Sequence, residues 1–206
     1  MGVYYTVHLA LYYFAACYNA RGTENKPDSA RSKERKHHIL IVGSIESYGN
    51  QPNRADYPAA KWGVRGMWRG IRNSSTLISP PGSSGIRMNF LAPGLVETPM
   101  TAHQMPFLTS IGLKAASIGN ATAAAMRLMC DEEIDGRSVA VGPAEEGGAL
   151  DSGCMDLLDE HANFDGSPKA LEFLRDVIGP AINVITGMNS DELDEVIGKG
   201  NAAIVR

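Results

Sequence analysis

Residues 39–61, ILIVGSIESYGNQPNRADYPAAK, decide how this chain folds. Four branched apolar residues in succession, Ile39 to Val42, stop at Gly43-Ser44. A short unbroken apolar run closed by a turn signal is the pattern of a strand buried on both faces, as inside a parallel sheet. From Tyr57 the period becomes helical, and a helix is expected over residues 57–73. Pro58 is tolerated in its first turn, where the N–H it lacks would have no partner anyway. Ser44 therefore falls just past the carboxyl end of a buried strand, the edge where open parallel sheets bind ligands. Tyr57 and Lys61, four apart, share one helix face. An ammonium beside a phenol favours the phenolate by Coulomb attraction, so Tyr57 is a candidate proton donor and acceptor, with Ser44 able to hold a substrate oxygen against it.

Outward from this stretch the pattern repeats. Pro80-Pro81-Gly82-Ser83-Ser84-Gly85 breaks the chain before a second apolar strand, expected over residues 86–91 and ended by Pro93-Gly94. A helix is expected over 115–129, and a third strand over 138–141 after the turn Asp135-Gly136. Strands alternating with helices at this spacing predict an α/β fold around a parallel sheet. Ahead of it, residues 3–19 read as a helix apolar on nearly every face, the pattern of a buried helix. Residues 20–36, with Arg31, Lys33, Arg35 and Lys36, read as a solvated loop. Beyond Gly142 the texture changes, and short amphipathic helices are expected over 168–179 and 191–197. The division is residues 1–150 as the chemical region and 151–206 as a helical C-terminal extension of the same domain.

The chain has 206 residues and a mass of 22.1 kDa, and 44% of its residues are hydrophobic, enough for one domain with a real core. A net charge of -4 gives no electrostatic footprint for nucleic acid or an acidic membrane surface, so a small-molecule partner is expected. Three cysteines, Cys17, Cys130 and Cys154, form no CxxC and have no His pair beside them. Neither a disulfide framework nor a metal site is expected, and a reducing, cytoplasmic setting follows. Residues 3–16 are too short and too polar to span a bilayer and lack a basic lead-in.

The order strand, Gly43-Ser44, Tyr57-x-x-x-Lys61, helix, Gly85-Ile86-Arg87-Met88-Asn89 and Ala92-Pro93-Gly94-Leu95-Val96-Glu97-Thr98-Pro99 closely resembles the classical short-chain dehydrogenases/reductases. The resemblance covers residues 2–142 and ends on 136–142, which look like the family's last strand. It implies that Ser44 orients the substrate oxygen, that Tyr57 exchanges its proton, and that Lys61 tunes Tyr57 and holds the nicotinamide ribose of NAD or NADP. By the same resemblance Pro93, Gly94, Val96 and Thr98 border the nicotinamide. The family's Gly-rich phosphate turn has no counterpart, because the sequence contains no GxGxxG between a strand and a helix. The expectation is thus an incomplete Rossmann-like sheet holding the family's C-terminal, catalytic half, with weak dinucleotide binding by this chain alone.

Three function classes stay open. The resemblance implies NAD(P)(H)-dependent oxidoreduction of an alcohol or carbonyl group. The same Ser/Tyr/Lys set without a cofactor would suit an isomerase, dehydratase or cyclase. A non-catalytic remnant that dimerises is the third, and retention of all three residue types argues against it. A homodimer is expected in any case, because helices 3–19 and 57–73 match the family's paired interface helices and the strand at 39–42 has an unpaired edge. His37 and His38 are expected to be solvated or capping, Trp62 is a better pocket candidate than Trp68, and Met100, Met105 and Phe107 suit either a substrate lid or the core.

Overall fold

A computed structural model describes residues 2–21, 37–49, 55–72, 85–144, 152–159 and 176. Helix α1 (Gly2–Arg21) leads to strand β1 (His37–Val42) and a single 3-10 turn, Ile45–Ser47. Helix α2 (Asp56–Arg72), strand β2 (Ile86–Pro93), short helix α3 (Met105–Ser110), helix α4 (Ile118–Cys130), strand β3 (Ser138–Val141) and strand β4 (Cys154–Asp156) follow. The sheet order is β1-β2-β3-β4; the first three strands are parallel and β4 runs antiparallel to β3. The expected α/β, Rossmann-like architecture is therefore present.

Strand β2 organises the core. Its Ile86, Met88, Phe90 and Ala92 pack with Val7 and Leu11 of α1 and Trp68 of α2, whereas Leu91 packs with Ala124 and Leu128 of α4. Period-two alternation thus gives each sheet face its own helix layer. Trp68 is fully buried, donates from its indole Nε1 to the Met88 carbonyl at 3.1 Å, and sets its ring 5.1 Å from that of Phe90. Burying a side chain such as Phe90 contributes about 1.5–3 kcal/mol. Gly43 is required by this packing: a Cβ there would lie 2.0 Å from Phe90 Cζ.

Arg87 and Asn89 alternate onto the α4 side and are buried there. The Arg87 guanidinium donates to the carbonyls of Leu128, Met129, Asp131 and Ile134 at 2.8 to 3.2 Å, closing the C-terminal end of α4, where unpaired carbonyls collect. Asn89 donates to the Ile134 carbonyl at 2.9 Å and accepts from the Arg137 N–H at 2.9 Å. These two side chains of the 85–89 motif fasten the turn that leads into β3.

Several elements depart from the sequence expectation. β2 continues to Pro93 because β3 pairs with it as far as Pro93–Val141. Helix α4 begins at Ile118 rather than residue 115, since Ala116 bridges to Val96 and Ser117 is an extended N-cap in a reciprocal capping box with Asn120. Strand β4 lies in the segment expected to be a helical extension; it joins the sheet through Gly153, whose φ of +71 suits glycine. The helices expected over 168–179 and 191–197 lie outside the described residues, as does most of the loop 20–36. Among the described side chains of helix α1, Val7 and Leu11 are deeply buried, while Tyr5, Leu9, Tyr12 and Tyr13 are exposed in this single chain.

His38 is not solvated as expected. It is half-buried on β1, and its Nε2 accepts from Asn89 Nδ2 at 3.1 Å. Burial, reinforced by the nearby Arg87 charge, pushes its pKa down to about 4, so the ring is neutral at physiological pH. His37 stacks its ring on Phe14 at 4.3 Å. Of the two tryptophans, Trp68 anchors the core and Trp62 is exposed. Met100 and Phe107 are exposed too, which removes them from the core.

Candidate active site

The three parallel strands deliver their carboxyl ends to one edge, and the expected site residues follow directly from those ends. Ser44 sits two residues beyond β1 in extended backbone and caps the 3-10 turn, its Oγ accepting from the Glu46 N–H at 3.2 Å. The same Oγ donates to the carbonyl of Pro93, the last residue of β2, at 3.4 Å. Gly94 N–H donates to the carbonyl of Val141, the last residue of β3, at 2.8 Å. Ser44 and Pro93 are therefore brought together, with Gly94 next along the chain and tied to β3. A hydroxyl has one proton to donate, and at 3.4 Å the hold on Pro93 is weak, so the proton can be redirected to a substrate oxygen by rotation about one bond.

Tyr57 and Lys61 lie in the first turns of α2 and are both half-buried. Lys61 Nζ is 5.4 Å from the centre of the Tyr57 ring and donates to the carbonyl of Gly43 at 3.0 Å. This bond ties the helix that carries the phenol to the residue immediately before Ser44. Val96 and Thr98 lie on the segment after β2, half-buried. Val96 bridges in parallel to Ala116 through its neighbours: the Ala116 N–H donates to Leu95 and the Glu97 N–H to Ala116. That geometry turns Val96's own N–H and carbonyl to the opposite side. The carbonyl accepts from Thr101 Oγ1 at 2.8 Å, and Thr98 Oγ1 lies 3.1 Å from the same hydroxyl. By their chemistry the Thr98 hydroxyl and the Val96 N–H could serve a carboxamide, and the Lys61 ammonium could serve a ribose hydroxyl.

Sequence reasoning missed the groups beneath this edge. Tyr48, which closes the 3-10 turn, is buried and shares a short hydrogen bond with Ser138 Oγ, and its hydroxyl donates to Asp159 Oδ2 at 3.1 Å. Burial, with the Asp159 charge beside it, raises its pKa above the ordinary tyrosine value. Asp159 also receives a forked pair of bonds from Arg65, Nη2 to Oδ1 at 2.6 Å and Nε to Oδ2 at 3.2 Å. The available signal was Arg65, Trp68 and Arg72 at helical spacing on one face of α2, which places two cations beside a core tryptophan and calls for a buried anion.

A cavity of about 630 Å³ lies beside α4 and the β3–β4 edge, lined by Arg127, Leu128, Arg137, Cys154 and Asp156 among others. None of the expected site residues lines it. Among the described residues no helix is long and apolar enough to cross a membrane, and no three His, Cys, Asp or Glu side chains cluster as metal ligands.

A parallel sheet with helices on both faces and polar side chains collected at its carboxyl edge defines the Rossmann-like class of α/β proteins. Residues 29–108 match the family described as short chain dehydrogenase. It is 31% identical over 186 residues to an NADP-dependent dehydrogenase of Phoma sp., a match covering 87% of this chain and 51% of that protein. It is also 31% identical over 166 residues to 5'-hydroxyaverantin dehydrogenase of Dothistroma septosporum, covering 77% of this chain and 46% of the relative. The chain spans about half the length of these curated relatives. Among solved structures, a gluconate 5-dehydrogenase from Burkholderia cenocepacia, in complex with NADP and tartrate, matches with a TM-score of 0.43 and 20% identity, covering 55% of this chain and 46% of that one.

Proposed function

We propose that this chain carries the substrate side of an NAD(P)(H)-dependent oxidoreductase that interconverts an alcohol and a carbonyl on a small organic substrate. One observation carries the reading: Lys61 and Ser44 reach across to Gly43 and Pro93, drawing the Tyr57 helix and the ends of β1 and β2 to one edge. In the direction of reduction, Ser44 swings its hydroxyl proton from Pro93 to the substrate carbonyl and fixes that oxygen. Tyr57 gives its phenolic proton to the oxygen as negative charge develops there. Lys61 stabilises the phenolate left behind and would hold the ribose of a nicotinamide nucleotide, with Pro93, Gly94, Val96 and Thr98 available to border its ring. That group, when bound, would supply or take the hydride. The names of the relatives favour NADP over NAD.

The same reading includes a homodimer. Tyr5, Leu9 and Tyr12 recur at helical spacing and are all more than half exposed, an apolar stripe that a second copy of α1 would cover about a two-fold axis. Free Cys17, Cys130 and Cys154 support a reducing compartment, the cytoplasm.

The test incubates the full chain with NADPH and a ketone panel that includes cyclohexanone and acetophenone, with alcohol formation as the readout. NADPH-dependent reduction supports the reading. Conversion of substrate with no nicotinamide present would transfer the same residues to the cofactor-free isomerase, dehydratase or cyclase alternative. Absence of any turnover would leave the non-catalytic dimer as the account of the chain.

A further inference from the structure

We infer that Asp159 is a positioning residue for the proton-transfer site, holding the Ser44 turn and the Tyr57 helix in register through Arg65 and Tyr48. The inference rests on the proposed role of Tyr57 and extends it to a residue outside the matched family segment. Lys61 and Arg65 are one helical turn apart on α2, and both grip the same loop by its carbonyls. Lys61 donates to Gly43 at 3.0 Å and Arg65 to Ser47 at 3.5 Å, one on each side of Ser44. The Arg65 guanidinium also lies 4.0 Å over the ring of Tyr48. A long flexible side chain does this reproducibly only if its planar fork is fixed from behind. Asp159 supplies that fixture: fully buried, it binds Nε and Nη2 of Arg65, accepts from the Tyr48 hydroxyl, and offers its backbone carbonyl to Arg72 at 3.1 Å.

The backbone beside Asp159 points the same way. Leu158 has φ +51, a left-handed conformation that a leucine adopts only when its surroundings impose it. Leu157 N–H donates to the Ser138 carbonyl at 2.8 Å and Leu158 N–H to Asp156 Oδ1 at 2.9 Å, which pins the bend that turns Asp159 inward. A carboxylate with both oxygens committed to protein groups takes no part in chemistry itself. Its effect reaches the substrate through where it sets Ser44 and Tyr57.

The experiment compares three variants of the full chain in NADPH-dependent reduction of the best ketone from the panel. Arg65→Met/Asp159→Leu removes both buried charges together, which generally preserves or raises stability. The expected result is a melting temperature at or above that of the parent with kcat lowered about 100-fold, since misplacement of about an ångström costs that much. KM for NADPH should stay within about two-fold, because uniform binding is untouched. A purely structural ion pair predicts instead that kcat returns with stability, and parental kcat in the folded double variant overturns the inference. Should the double variant fail to fold, Tyr48→Phe decides: it keeps the ion pair, removes one hydroxyl from Asp159, and should lower kcat several-fold at parental KM, whereas parental kcat would again overturn the inference. Tyr57→Phe is the third variant. If it turns over normally, the reading of Tyr57 fails and the positioning role falls with it; if it is inactive while the folded double variant is fully active, only the positioning role fails.

Discussion

Lys61 Nζ lies 3.0 Å from the carbonyl oxygen of Gly43 and 5.4 Å from the centre of the Tyr57 ring, so one ammonium connects the residue that follows strand β1 to the phenol on the facing helix. The connection explains why these residue types occur at this spacing. A lysine anchored at its tip is a positioned charge, whereas a mobile one spreads its field over solvent.

Gly43 allows that anchor because nothing larger fits beside Phe90. Gly43→Ala would set a Cβ 2.0 Å from Phe90 Cζ, and the ring or strand β1 must move. Thermal or denaturant melts should show a loss of about 1–3 kcal/mol, the usual range for overpacking a core. Truncating the obstacle in Gly43→Ala/Phe90→Leu should recover part of it. A neutral Gly43→Ala would mean that the ring is not packed against this glycine.

Arg87 is buried with four carbonyls around its guanidinium. Arg87→Met keeps the length of the side chain and leaves those acceptors unpaired, at a cost of about 2–4 kcal/mol given that hydrogen bonds from a charged donor are involved. Hydrogen exchange should report the loss first at the C-terminal turn of α4 and in residues 131–137. Uniform protection across that region in the variant would contradict the capping role.

His38 makes stability depend on mild acid. Its pKa falls from 6.5 to about 4 on folding, so the unfolded chain takes up the proton first and the native state loses ground as pH drops from about 6.5 to about 4. Above pH 6.5 this contribution is fully present. His38→Gln, which has no charge to gain, should flatten the melting temperature over that window, whereas an unchanged slope would assign the pH dependence to other groups.

The exposed stripe of α1 predicts association. The parent chain should scatter light with at least twice its 22.1 kDa mass at micromolar concentration, and Leu9→Arg/Tyr12→Ser should bring it down to one chain. A monomeric parent would remove α1 as the interface.

The parts of the fold legible in sequence are those written as local patterns. Ile39 to Val42 and Ser138 to Val141 stand out as short runs closed by a glycine, although β1, first in the sheet order, is not buried on both faces as expected: only Ile41 is deeply buried and Val42 is exposed. Strand β4 was not legible: Cys154, Met155 and Asp156 are too few to show a period, and their pairing is decided by β3 and by Gly153. Ser44, Tyr57, Lys61 and the 93–98 segment could be found because their spacing is short or their order distinctive. The Arg65–Asp159 pair could not, because its members are 94 residues apart and neither is unusual among its own neighbours. The exposed side of α1 reads as apolar in the sequence too, but an all-round apolar helix announces burial without saying by which chain.

Conversion of Tyr57 to phenylalanine removes one hydroxyl from a half-buried position and leaves Lys61 bonded to Gly43, so the fold should be unchanged. The most direct test of the account is the rate of NADPH-dependent ketone reduction by Tyr57→Phe, beside the parent at equal concentration. The account predicts a fall in kcat of about 10²–10⁴, the range set by loss of a positioned general acid, with an unaltered melting temperature. A parental rate in the folded variant would contradict it.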